Sequence, residues 1–108
     1  MGVRRVDGAA RVAVIEATGD NDAFDADGLE RALEEARPTP VVVDLTQATF
    51  VDSTFVGTLL AASRSMPLAI VVPRDAQNAV VKLFELTHLF EALPVYRGRE
   101  EAVAALVD

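Results

Sequence analysis

Few residue types in this chain could support catalysis. Its 108 residues include no cysteine and a single histidine, His88. Thiolate nucleophiles, disulfides, iron–sulfur clusters and cysteine-ligated zinc are therefore excluded. One histidine supplies neither a two-histidine metal site nor an H-E-x-x-H helix. As a general base, His88 would have to serve Ser53, Ser63 or Ser65, and none of these lies in a G-x-S-x-G elbow. It follows an apolar helical stretch, which favours partial burial or interaction with a helix C-terminus. No G-x-G-x-x-G or Walker loop is present to cradle a phosphate. Setting Gly28 at the glycine of a calcium loop brings Asp25, Asp27 and Glu34 onto ligand positions. The first position then falls on Ala23, which cannot coordinate. The expectation is a protein that is not an enzyme and carries no cofactor or metal.

One segment remains, Val51-Asp52-Ser53-Thr54-Phe55-Val56-Gly57. It follows an apolar β-branched run and opens a helical pattern, and parallel sheets place functional residues at such strand ends. Ser53 is placed to be the helix N-cap, its hydroxyl accepting from the amide of Phe55 or Val56, a contact worth about 1 kcal/mol. The same position suits a phosphate. A phosphoserine there brings nearly two negative charges to the positive end of the helix dipole, so the fold tolerates it. A partner whose docked surface is apolar or acidic does not. Cap and switch both remain open on composition alone.

The elements that must position this segment follow from periodicity. Val3 to Val6 and Arg11 to Ala17 read as strands around the turn dipeptide Asp7-Gly8, and Gly19 to Phe24 as a polar turn. From Asp25, the residues Ala26, Leu29, Ala32, Leu33 and Ala36 recur at helical spacing. Asp25 or Asp27 can cap that helix, Asp27 forming a capping box with Glu30, and Pro38 and Pro40 stop it. Val41 to Leu45 is an apolar run of the kind covered on both faces. Thr54 to Arg64 is helical, with Val56, Leu59, Leu60 and Ser63 on one stripe. Leu68 to Val72 is a second buried strand. Asp75 to Leu86 is a helix with Ala76, Val80, Val81 and Phe84 inward. Leu93 to Tyr96 is a last strand, and Arg99 to Val107 a terminal helix burying Val103, Leu106 and Val107. The order ββαβαβαβα predicts an α/β fold: a mixed, mostly parallel sheet flanked by helices, with an N-terminal β-hairpin.

Residues 1–108 are expected to form one domain, since 51% hydrophobic and 25% charged residues suit a globular chain of this length. The longest uncharged stretch, Ser53 to Ser63, is too short for a membrane span, and Met1 to Ala10 lacks the apolar run of a signal peptide. A cytoplasmic protein without a membrane partner is the expectation. The net charge of −7 argues against nucleic acid, whose phosphates would repel it. Asp20, Asp22, Asp25, Asp27, Glu30, Glu34 and Glu35 crowd one segment, relieved only by Arg31. That segment is either a solvated face or a field that speeds encounter with a basic partner.

At this point the sequence resembles the STAS domain family, and within it the single-domain anti-sigma factor antagonists. Val41-Val42-Val43-Asp44-Leu45 followed by Phe50-Val51-Asp52-Ser53-Thr54 is similar to the family's central strand and D-S-[ST]-G-L signature. Gly19-Asp20-Asn21-Asp22 stands at its G-E-L-D turn. Leu83-Phe84-Glu85-Leu86-Thr87 with Leu89-Phe90 is similar to L-x-L-T-G-L-x-x-L-F, and Tyr96 with Glu100-Glu101-Ala102 to its V-Y-x-x-x-E-E-A ending. The likeness runs from about Val12 to Leu106.

The resemblance implies a partner, an anti-sigma factor with a histidine-kinase-like ATPase fold, which phosphorylates Ser53 and is thereby released. A metal-dependent serine phosphatase reverses the modification. Partner contacts are implied at Asp22, Asp52, Thr54 and Phe55. Phe55 replaces the signature glycine, so its ring is expected either to crowd a kinase site or to anchor a partner. His88 likewise stands at the glycine of L-T-G-L, and Arg64-Ser65-Met66-Pro67 is shorter than the family's basic, glycine-rich loop. Two other readings are an unphosphorylated scaffold docking on a transporter or signalling protein, and a small-ligand sensor with a cavity between sheet and helices.

Overall fold

A computed structural model describes residues 2–9 and 11–107. Strands β1 (Gly2–Ala9) and β2 (Val12–Asn21) lead into helix α1 (Ala23–Ala36), strand β3 (Val41–Val51) and helix α2 (Ser53–Ser65). Strand β4 (Leu68–Val71), helices α3 (Ala79–Leu86) and α4 (Leu89–Ala92), strand β5 (Val95–Tyr96) and helix α5 (Arg99–Val107) follow. The five strands lie in the order β1-β2-β3-β4-β5. β1 runs antiparallel to β2, and every other neighbouring pair is parallel, so the sheet is mixed and mostly parallel as the periodicity predicts.

Alternation along the strands sends side chains to two cores. Ala13, Ile15, Val43, Leu45, Ile70 and their neighbours pack under α1 to α4. Val12, Val14, Val42, Ala69 and Val71 face the other way, where α5 covers them with Ala102 and, more loosely, Val103 and Leu106. Val107, expected inward, is exposed. On this second face Arg99 of α5 donates to Asp44 at 2.8 and 3.1 Å and to Glu16 at 2.6 Å. Arg4 reaches Glu16 at 3.4 Å, extending the ion pairs across three strands. Burial pushes the Asp44 carboxyl up, but hydrogen bonds from the Thr46 hydroxyl and amide and from Arg99 outweigh it. The group therefore lies below its ordinary value.

Several boundaries depart from the expectations. The first hairpin does not turn at Asp7-Gly8: β1 runs through them to Ala9 with a register shift after Val6, and Ala9 pairs with Val12. Arg11 there has φ 72°. β2 continues through Gly19 to Asn21, and β3 through Thr46 to Val51, beyond the short β4. Gly19 has φ 66° and adjoins a bulge against β3, which explains a glycine inside a strand. α1 is capped by Asp22, in a reciprocal box with Asp25, instead of by Asp25 or Asp27. α3 begins at Ala79 because Asn78 caps it, and Ala76 lies exposed before it. α4 is an element the periodicity did not predict.

Candidate functional site

The β2–β3 register sets Asn21 beside Val51, and the Asp52 amide donates to the Asn21 carbonyl at 3.1 Å. Each strand ends one residue before an aspartate that caps the following helix. Asp22 accepts from the amides of Phe24 and Asp25 at 3.0 and 3.2 Å, and Asp25 accepts from the Asp22 amide at 3.1 Å. Asp52 accepts from the Phe55 amide at 2.9 Å. The positive ends of α1 and α2 thus lie side by side at the carboxyl edge of the sheet, each with a carboxylate at its tip. A further link, from the Thr49 hydroxyl to Asp20 at 2.6 Å, ties the two strand ends together. Asn21 is fully buried between them, its amide donating to the Thr18 and Gly19 carbonyls.

This arrangement corrects the expectation that Ser53 caps α2. Asp52 caps it, and Ser53 is the first residue of the helix proper. A carboxylate accepts more strongly from an amide than a hydroxyl does, and at the cap it lies closest to the dipole. The Ser53 hydroxyl is consequently left exposed, with no hydrogen bond among the described residues. Thr54 is exposed beside it.

Phe55 is the opposite case. Its side chain is 0% exposed and, with Val56, Leu59 and Ala62, forms the buried stripe of α2. It therefore offers neither a surface anchor nor a ring that crowds the hydroxyl, and its expected place among the partner contacts is corrected. His88 is exposed, not partly buried; its φ of 58° is the left-handed geometry that glycine favours at a helix end. It stands 3.9 Å from Glu91.

Ser53 borders an apolar groove of about 710 Å³ between α2 and α3. Val56, Leu60, Leu83 and Leu86 form its walls, with Phe50 and Lys82 at its edges. Leu86 is 80% exposed, Phe50 46%, and Phe24 nearby in sequence to the α1 cap 82%. None of these three is among the contact residues that the sequence implies. The available signal was phase: Leu86 lies off the Val80, Val81, Phe84 stripe and Phe24 off the Ala26, Leu29, Leu33 stripe, so neither faces the core.

Comparison with known proteins agrees with this fold. A family model described as "Mlab, STAS domain" matches residues 4–93. An anti-sigma factor antagonist from Mycobacterium paratuberculosis superposes with a TM-score of 0.82 at 24% identity, covering 99% of this chain and 96% of that one. SpoIIAA, an anti-sigma factor antagonist, in its unphosphorylated form gives 0.67 at 16% identity, over 98% and 97% of the two chains. The phosphorylated form of the Bacillus SpoIIAA gives 0.66 at 17%, over 96% and 98%. No curated protein sequence matches.

Proposed function

Because this chain belongs to the STAS domain family, we propose that it is an anti-sigma factor antagonist switched by phosphorylation of Ser53. In this reading it binds an anti-sigma factor with a histidine-kinase-like ATPase fold, frees the sigma factor, and is released when that partner phosphorylates it. The observation that carries the reading is the uncommitted, exposed Ser53 hydroxyl on the rim of an apolar groove. Attack of Ser53 Oγ on the γ-phosphorus of ATP forms the new O–P bond, ADP leaves, and the hydroxyl proton passes to a base on the kinase. The chain is the substrate, not the catalyst.

Asp52 does the capping, so α2 keeps its cap when Ser53 is modified. The phosphate lies at the positive end of α2 but also beside the Asp52 carboxylate, with Asp22 at the adjoining strand end. Fold stability therefore changes little. Binding changes greatly, because a dianion at the groove rim must be desolvated against an apolar partner surface. Asp52 lines the groove with Ser53, Thr54 is exposed beside them and Asp22 stands at the adjoining strand end, and all three contact the partner. A metal-dependent serine phosphatase resets the switch, and all of this takes place in the cytoplasm, where ATP is supplied.

Paired pull-downs from the native host test the proposal, with Ser53→Ala and Ser53→Asp chains as baits and retained proteins identified by mass. Retention of an ATPase of this class on the alanine bait and its loss from the aspartate bait is the expected result. The same partner on both baits would overturn the switch and leave a constitutive docking scaffold.

A further inference from the structure

A second cavity, of about 640 Å³, opens where β4 and β5 end and α5 begins, and shares no lining residue with the Ser53 groove. Carboxyl ends of parallel strands are where α/β sheets hold ligands, and this volume suits a small molecule. Val72, Val81 and Val95 give it an apolar floor, and Phe90 and Tyr96 supply aromatic walls. Phe90 is anchored edge-on against the buried Phe84, with ring centroids 5.5 Å apart, yet remains 39% exposed.

Two guanidinium groups complete the lining. Arg74 comes from the segment after β4 and Arg97 from the residue after β5. Both are exposed, and neither is engaged in an ion pair or hydrogen bond among the described residues. Arg99, two residues on, is fully committed to Asp44 and Glu16. In a chain with 17 acidic and 10 basic residues, two uncommitted arginines converging on one concavity mark a local anion site in a field that disfavours anions elsewhere. Arg74 leans over Gly98, where a Cβ would lie 3.8 Å from its guanidinium and 3.5 Å from the Glu101 carboxylate. Glu101 also lines the cavity, so a ligand here meets cations and one acceptor together.

We infer that this cavity binds a small aromatic or heteroaromatic phosphate, its anionic group held by Arg74 and Arg97 and its flat body packed against Phe90 and Tyr96. Planar guanidinium forks match phosphate oxygens, and the aromatic walls match a ring. Glu101 accepts from a ring N–H or O–H where the ligand carries one, and the preference for a ring-bearing phosphate over inorganic phosphate comes from packing on Phe90 and Tyr96.

Titration of the isotope-labelled full chain with phenyl phosphate and with inorganic phosphate, followed by amide chemical shifts, tests the site. Saturable shifts confined to the neighbourhood of Arg74, Tyr96, Arg97 and Gly98 are expected, with phenyl phosphate binding about tenfold more tightly than inorganic phosphate. The Arg74→Ala/Arg97→Ala double variant changes only exposed side chains; with its spectrum otherwise unaltered, it should lose at least about tenfold in affinity. Absence of saturation by millimolar phenyl phosphate, saturation elsewhere, equal affinity for the two anions, or unchanged binding by the double variant would each overturn the inference.

Discussion

Neighbouring residues at the start of α2 divide two tasks that a single serine would otherwise combine. Asp52 holds the helix end, and the Ser53 hydroxyl, the phosphoacceptor of the proposed function, has no hydrogen bond among the described residues. Asp52→Ala should therefore lower stability by about 1 kcal/mol, whereas Ser53→Ala should stay within about 0.5 kcal/mol of the parent, both read by denaturant unfolding. Equal losses would return the cap to Ser53. The D-S dipeptide was visible in the sequence, but its division of labour was not. Either side chain can cap, and the outcome depends on which residue lies just outside the helical dihedrals, here Asp52 with ψ 177°. His88 shows the same limit, since a left-handed φ at a non-glycine residue has no signature in composition.

Among the elements, the helices and buried strands follow the periodicity closely, and the departures at the ends of β2 and β3 share one physical origin. β2 and β3 extend past β4, whose last pairing is Val71 with Asp44, so their ends have fewer neighbours and carry polar residues such as Thr46, Gln47 and Asp20. By periodicity Asp20 falls in a polar turn, and Thr46 and Gln47 fall beyond the apolar run that ends at Leu45. They build the platform on which Asp22 and Ser53 stand. Phe55 was misplaced for a related reason: the α2 stripe begins one residue earlier than the Val56, Leu59, Leu60 pattern, because the cap at Asp52 turns Phe55 inward. Phe55→Ala should destabilise the fold by about 3–5 kcal/mol through the cavity it leaves. Leu86→Ser, at an exposed position on the groove, should leave stability within about 0.5 kcal/mol and weaken partner binding about tenfold. Thermal melts beside binding isotherms separate the two, and a stable Phe55→Ala chain or a full-affinity Leu86→Ser chain would contradict this division.

For the molecule as a whole, α5 is fastened to the sheet by the Arg99 ion pairs as well as by its apolar side, and this makes stability depend on acid. The folded Asp44 carboxyl titrates below its ordinary 3.8, so its contribution is complete above that value and is lost as pH falls through the folded pKa. Asp44→Asn should melt at lower temperature than the parent at neutral pH, with the difference shrinking below about pH 4. A constant difference across that range would show that the loss is one of packing. The two faces of the sheet are kept apart: α5 closes one side, and the α2–α3 groove with Ser53, the docking surface in the proposed function, lies on the other. The most direct test is the affinity of the purified ATPase partner for the Ser53→Asp chain against the Ser53→Ala chain. A loss of roughly a hundredfold, with the two melting together, is the result predicted. Equal affinities would contradict the switch.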